Sequence, residues 1–144
     1  MIGFRFESNV LTLDIEGEAF TIEMSNDYLK SMRRYARECG IYADIVEERR
    51  ARQEKELREN RRNPEVIEAL ERKMEEEDAK AEAFISGMIE RILGKGAVEK
   101  IFFFREKNLF NLCDLLIYIC DECIRFQTER LKKYKSLAEA GRTA

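Results

Sequence analysis

The sequence predicts a mainly helical α+β fold in which a small N-terminal antiparallel β-hairpin or meander is followed by about five helices. Charged residues make up 38% of the 144 residues, compared with an average of about 25%, and the chain contains one Pro and seven Gly. Period-two alternation of apolar and polar residues is confined to residues 4–24, and patterns with the helical period follow it. A chain of this length is expected to form one domain, 1–144.

Residues 4–24 are predicted to form the strands. Phe4 and Phe6 alternate with charged residues, and the same alternation runs through residues 11–15 and 20–24. Glu16-Gly17 suits a tight turn between the last two runs. Because a sheet of two or three strands is not stable alone, we expect its apolar face to pack on helices. An unpaired strand edge invites a second chain, which predicts a homo-oligomer.

Residues 25–93 are predicted to form three helices. Ser25 or Asn26 is a good N-cap for the first, and Gly40 is a plausible C-terminal stop. The second helix covers 41–62. Asn63-Pro64 then places an N-cap residue before Pro at the first helical position, which predicts a third helix that ends near Leu93.

The second and third helices are expected to form a charged antiparallel hairpin across residues 44–80. Residues 44–62 contain 6 acids and 7 bases, and residues 65–80 contain 7 acids and 3 bases. The basic arm could pair with the acidic arm, or each arm could be a solvated face with its own i,i+4 pairs, such as Glu54–Arg58 and Glu68–Arg72. Because acids are interleaved with the bases, and the net charge is −3, the sequence does not favour nucleic acid as a partner.

Residues 94–135 are predicted to form a glycine corner, a short helix and a buried C-terminal helix. Gly94 and Gly96 interrupt a helical pattern, and each costs roughly 1 kcal/mol inside a helix. We interpret them as a structural corner that lets the chain reverse. The short helix is expected at 97–103. The last helix is expected to begin at Asn108 or Asn111 and to end near Tyr134, with residues 136–144 frayed.

The apolar run after the corner supplies the candidate partner contacts, Ile101, Phe102, Phe103 and Phe104. We expect these side chains to pack on Ile85, Ile89 and Leu112. One face of a helix cannot bury three consecutive phenylalanines, because successive residues are 100° apart. The sequence leaves two alternatives, an intrachain core cluster and contact with another chain.

The composition argues against an enzyme and against a metal or cofactor site. The chain has no His, which is the commonest general base and metal ligand. Cys113, Cys120 and Cys123 lie within one sector of a helix, but three thiols do not complete a four-ligand zinc site. The Gly94-Lys95-Gly96 segment could cradle a phosphate, although it matches neither common phosphate-loop motif. We therefore predict no catalytic residues, no metal and no cofactor.

The sequence also predicts a cytoplasmic protein that does not enter a membrane. Residues 1–10 lack the basic and apolar regions of a signal peptide. The apolar run 115–120 is far shorter than the ~18–20 residues that cross a bilayer. Four cysteines in such a chain are expected to be reduced thiols.

Two segments resemble a known family. The first, VLTLDIEGEAFTIEMSNDYL, has a strand, a glycine turn, a second strand and a helix. The second, AFISGMIERILGKGAVEKIFFFREKNLFNLCDLLIYICDECIRF, has a helix that ends in a Leu-Gly-x-Gly-like corner, an Ile-Phe element and a final Leu/Asp-rich helix. Together they cover about half of the chain and are similar to the tail assembly chaperones of long-tailed phages and prophages of Gram-positive bacteria. The charged segment 44–80 is not part of that pattern.

The resemblance implies a protein without enzymatic activity that binds the tape-measure protein, keeps it soluble, and recruits tail-tube subunits. It also implies self-association, in the cytoplasm of a bacterial host. The alternative is a helical adaptor or regulatory protein that binds a host protein or nucleic acid.

Overall fold

The computed structural model describes residues 1–143 and confirms a mainly helical fold with an N-terminal antiparallel hairpin. The elements are β1 (Val10–Ile15), β2 (Glu18–Glu23), α1 (Asn26–Glu59), α2 (Pro64–Leu93), α3 (Ala97–Ile101) and α4 (Leu109–Thr143). There are four helices in this range rather than about five. None of them combines the length and apolar character needed to span a bilayer. Ala144, the last residue of the predicted frayed tail, lies outside the described residues.

The hairpin is built on a tight turn with two left-handed residues. Glu16 and Gly17 have φ of 53° and 84°, as two-residue hairpin turns of matching twist require. The Asp14 carboxylate accepts a hydrogen bond from the Gly17 N–H at 2.9 Å. In the resulting register Leu11 opposes Ile22 and Leu13 opposes Phe20. One face of the hairpin is therefore apolar, and it packs on the helices.

The strand predicted at residues 4–6 does not form, and that prediction is wrong. Residues 1–9 have no regular secondary structure, and Phe4 and Phe6 are exposed, with their rings edge to face at 4.8 Å. This segment turns instead toward the C-terminal half of α4. Glu7 there forms ion pairs with Arg130 and Lys133. Alternation alone could not reveal that, among residues 1–143, no third strand pairs with β1 or β2.

The predicted helix end at Gly40 is also wrong, because α1 is continuous from Asn26 to Glu59. Ser25 is its N-cap, and its hydroxyl accepts a hydrogen bond from the Tyr28 N–H at 3.2 Å. One interior Gly costs about 1 kcal/mol. Packing of the flanking residues offsets that cost, since Tyr35 is buried and Cys39 contacts the core.

α1 and α2 form the predicted charged hairpin around Asn63, with both kinds of expected ion pair. Between the arms, Arg50 Nη2 lies 2.9 Å from Asp78 Oδ1, and Arg49 Nε lies 3.7 Å from Glu77 Oε2. Within α2, Arg72 lies 3.7 Å from Glu68. Glu54 and Arg58 form no ion pair within residues 1–143. Cross-arm pairing is thus confined to the end of the hairpin nearest the core.

One apolar core joins the β-hairpin to all four helices. The most deeply buried large side chains come from β2, α2 and α4, and they are Ile22, Ile85, Met88, Ile89, Leu112, Leu116, Ile119 and Cys123. The Tyr28 hydroxyl of α1 donates a hydrogen bond to the Ile92 carbonyl of α2. Arg33 of α1 donates to Gln127 of α4 at 3.3 Å. These contacts place α1 antiparallel to both α2 and α4.

The last helix is longer than predicted. Asn108 is its cap, because the side-chain oxygen accepts from the Asn111 N–H at 2.8 Å. α4 continues to Thr143 instead of ending near Tyr134, so residues 136–143 are helical rather than frayed. The first part of this stretch contains Leu137, Ala138, Glu139 and Ala140, which are good helix formers.

Candidate interaction surface

The corner between α2 and α3 depends on two glycines with different left-handed geometries. Gly94 has φ 107° and ψ 160°, a region that only glycine occupies at low cost. Gly96 has φ 84° and ψ −4°, the left-handed helical region. The Gly94 N–H still donates to the Glu90 carbonyl at 2.8 Å, and the Gly94 carbonyl accepts from Ala97 at 3.2 Å. The chain therefore ends one helix and begins the next within three residues.

The corner has no vacant phosphate cradle. The Gly96 N–H donates to the Glu90 carboxylate at 3.3 Å, so an acidic side chain already occupies the position that an anion would take. An anion there would be repelled by that carboxylate. This contact favours the structural interpretation of Gly94 and Gly96 over the ligand-binding one.

After the corner, α3 divides the candidate contact residues into a buried and an exposed pair. Ile101 is buried in the core cluster that contains Ile85, Ile89 and Leu112, and Phe102 is half-buried against that cluster. Phe103 and Phe104 are 76% and 96% exposed. The expectation that all three phenylalanines pack on the core is therefore wrong for these two. α3 ends at Ile101, and Phe103 and Phe104 lie beyond its end.

Phe103 and Phe104 stand beside an open concavity with charged rims. Their rings meet edge to face at 4.6 Å. On the rim, Arg105 pairs with Glu16 at 2.8 Å, and Lys100 pairs with Glu18 at 3.1 Å. These six residues and Ile101 line a volume of about 430 Å³. We call this region the corner surface. It offers two exposed aromatic rings together with charges of both signs.

A second, more apolar concavity lies where α1 and α2 meet the first turn of α4. Its volume is about 580 Å³. Tyr42 lines it, and the Tyr42 ring stacks on the ring of Phe84, with centroids 5.1 Å apart. Phe110 also lines it and is largely exposed. Sequence reasoning did not single out Phe110, because its position on α4 becomes meaningful only when the buried face of that helix is known.

The four cysteines are free and largely shielded. Burial raises the pKa of Cys120 to about 12 and the pKa of Cys123 to about 11. Burial also raises the pKa of Cys39 and Cys113. The thiols are therefore protonated at neutral pH and are poor nucleophiles and poor metal ligands. Across residues 1–143, no group of three or more Cys, Asp or Glu is arranged to hold a metal ion.

In comparisons with known proteins, no family model, no curated protein and no solved structure matches this chain.

Proposed function

We propose that the protein is a tail assembly chaperone of a phage or prophage of Gram-positive bacteria. In this proposal it binds the tape-measure protein through the corner surface and helps to recruit tail-tube subunits in the host cytoplasm. The observation that carries the proposal is the exposure of Phe103 and Phe104 beside a concave, charge-rimmed volume. Large apolar side chains clustered at the surface are typical of protein-binding sites.

The surface suits a long helical client. A partner helix could lay an apolar stripe against the rings of Phe103 and Phe104. Acidic residues beside that stripe could then contact Lys100 and Arg105, and basic residues could contact Glu16 and Glu18. Aromatic side chains in such positions commonly contribute most of the binding energy. The high overall charge, 38% of residues, would keep a complex with an aggregation-prone client in solution.

The proposal is tested by co-expression with a tape-measure protein, the very long helical chain that the proposal expects to be encoded downstream. We expect the wild-type chain to keep that client in the soluble fraction and to co-purify with it. Phe103→Ser plus Phe104→Ser should abolish co-purification without changing thermal unfolding, because both side chains are exposed. Phe4→Ser plus Phe6→Ser is the matched control, since it removes another exposed edge-to-face pair, and it should bind normally.

Two outcomes would count against the proposal. Binding by the Phe103/Phe104 variant at wild-type level would exclude the corner surface. A gene neighbourhood without a tail-tube gene upstream and a very long helical gene downstream, but with regulatory genes instead, would favour the adaptor alternative.

A further inference from the structure

The outer face of α4 carries four exposed large apolar side chains at strict seven-residue spacing. Phe110, Ile117, Ile124 and Leu131 are 81%, 52%, 48% and 57% exposed. They lie away from the buried face of α4, which includes Leu112, Leu116, Ile119 and Cys123. At about 1.5 Å per residue the stripe is about 32 Å long. We call these four residues the outer stripe.

A seven-residue repeat is typical of a helix that pairs with another helix. It is slightly shorter than two helical turns, so the stripe stays in register with a partner only if the two helices supercoil. Scattered surface apolar residues need no explanation, but four in this register form one continuous seam. Within residues 1–143 each of the four side chains remains about half-exposed or more.

The wall of α1 beside the stripe offers space for incoming side chains. Ala36, Gly40 and Ala43 lie on that wall, and together with Ile117 and Ile124 they line a groove of about 280 Å³. Small residues next to a ridge of large ones create holes for the knobs of a partner helix. The same surface thus carries both knobs and holes, as a self-complementary interface requires.

Charges along the edge of the stripe reverse sign from one end to the other. Asp114 and Asp121 lie toward the start of α4, and Lys132 and Lys135 lie toward its end. None of the four has an ion-pair partner in the described part of the chain. A parallel copy would place acid against acid and base against base. An antiparallel copy would place Asp114 against the lysines.

We propose that α4 pairs with α4 of a second copy, antiparallel and about a two-fold axis near Ile124. The axis places Ile117 opposite Leu131 and the acidic end, Asp114, opposite Lys132 and Lys135. Such an interface is isologous and closes at two chains, so it yields a dimer and not a filament. It uses neither the corner surface nor a strand edge. It therefore stands or falls separately from the proposed function.

Sedimentation over a range of concentrations tests the dimer. The wild-type chain should approach twice 17.0 kDa, and Ile124→Glu should raise the dissociation constant by about tenfold or more, because it places a charge in the seam. Helical content and thermal unfolding of the monomer should persist, since Ile124 is half-exposed. Phe104→Glu is the matched control, an exposed apolar residue on another face, and it should dimerise normally. A wild-type monomer at every concentration, or an Ile124→Glu dimer of normal affinity, would overturn the proposal.

Charge exchange tests the orientation. Asp114→Lys plus Asp121→Lys should weaken the dimer, because the seam edge becomes entirely basic. Adding Lys132→Glu and Lys135→Glu to that variant should restore a homodimer, because the two-fold axis again pairs acid with base. This fourfold variant should not mix with the wild-type chain, since Asp114 of the wild type would then face the two introduced glutamates. Preferential mixing with the wild type would indicate parallel helices and would refute the antiparallel arrangement.

Discussion

At the scale of single residues, the corner shows why a short sequence segment can determine where a chain turns. Gly94 and Gly96 both have positive φ, yet a Cβ on either would meet no atom within 4 Å. The requirement for glycine is therefore conformational and not steric. The two positions differ, because Gly96 is in the left-handed helical region, which Asn tolerates, whereas the region of Gly94 is accessible almost only to Gly.

That difference gives a graded prediction for the corner. Gly94→Ala should lower the free energy of unfolding most, by about 1–3 kcal/mol, and Gly96→Ala should lower it by about 1–2 kcal/mol. Gly96→Asn should be the mildest of the three substitutions. Urea unfolding measures all of them, with Lys95→Ala as a control that should have little effect because its side chain is exposed.

An unchanged urea midpoint for Gly94→Ala would show that the backbone at residue 94 can adopt another conformation at no cost. The geometry of Gly94 would then not position α3. If Lys95→Ala abolished an activity while the glycine variants unfolded normally, the corner would be a ligand site and the structural interpretation would fail.

At the scale of elements, the sequence predicted helix starts better than helix ends. Ser25 and Asn63-Pro64 were found because a cap and a fixed proline φ are local properties. Gly40 was misread because whether one glycine ends a helix depends on the packing of both flanks, and packing is not local. Phe103 and Phe104 were expected to pack on the core for a similar reason, since α3 ends at Ile101, two residues before its predicted end.

The N-terminal segment is attached to α4 by charge, which makes its attachment dependent on pH. Hydrogen bonding to Lys133, the charge of Lys133 and the charge of Arg130 hold the pKa of Glu7 below its ordinary value of 4.5. Because the pKa is lowered in the folded state, the stabilisation is complete above the ordinary pKa of the carboxyl. It is lost as the pH falls through the lowered, folded-state pKa.

A carboxyl-carbon NMR titration of Glu7 measures this attachment. The midpoint should lie below 4.5 in the wild-type chain and should rise toward that value in Lys133→Met. Lys135→Met removes a nearby lysine that does not contact Glu7, so it should leave the midpoint unchanged. A wild-type midpoint at or above 4.5 would mean that the contacts of Glu7 with Lys133 and Arg130 do not form in solution.

At the scale of the whole molecule, the core and the far part of the charged hairpin are built differently. The core gathers buried side chains from both strands and all four helices. Between residues 54 and 80, in contrast, no described side chain is buried. The last hydrogen bonds and ion pairs between the arms before the tip join Gln53, Arg49 and Arg50 to Glu77 and Asp78. Exposed ion pairs contribute only about 0–1 kcal/mol each, so this part gains little stability from packing.

We therefore expect the hairpin tip to open without unfolding the core. Local opening takes less free energy where few apolar contacts are buried. Native-state hydrogen exchange should show that amides of residues 54–76 exchange through smaller openings than those of residues 85–92 and 112–123. α2 supplies an internal control, because residues 66–76 and 85–92 belong to one continuous helix and differ mainly in burial. Equal protection along α2 would show that the hairpin and the core unfold as one cooperative unit, and that the charged arms are stabilised by more than their exposed ion pairs.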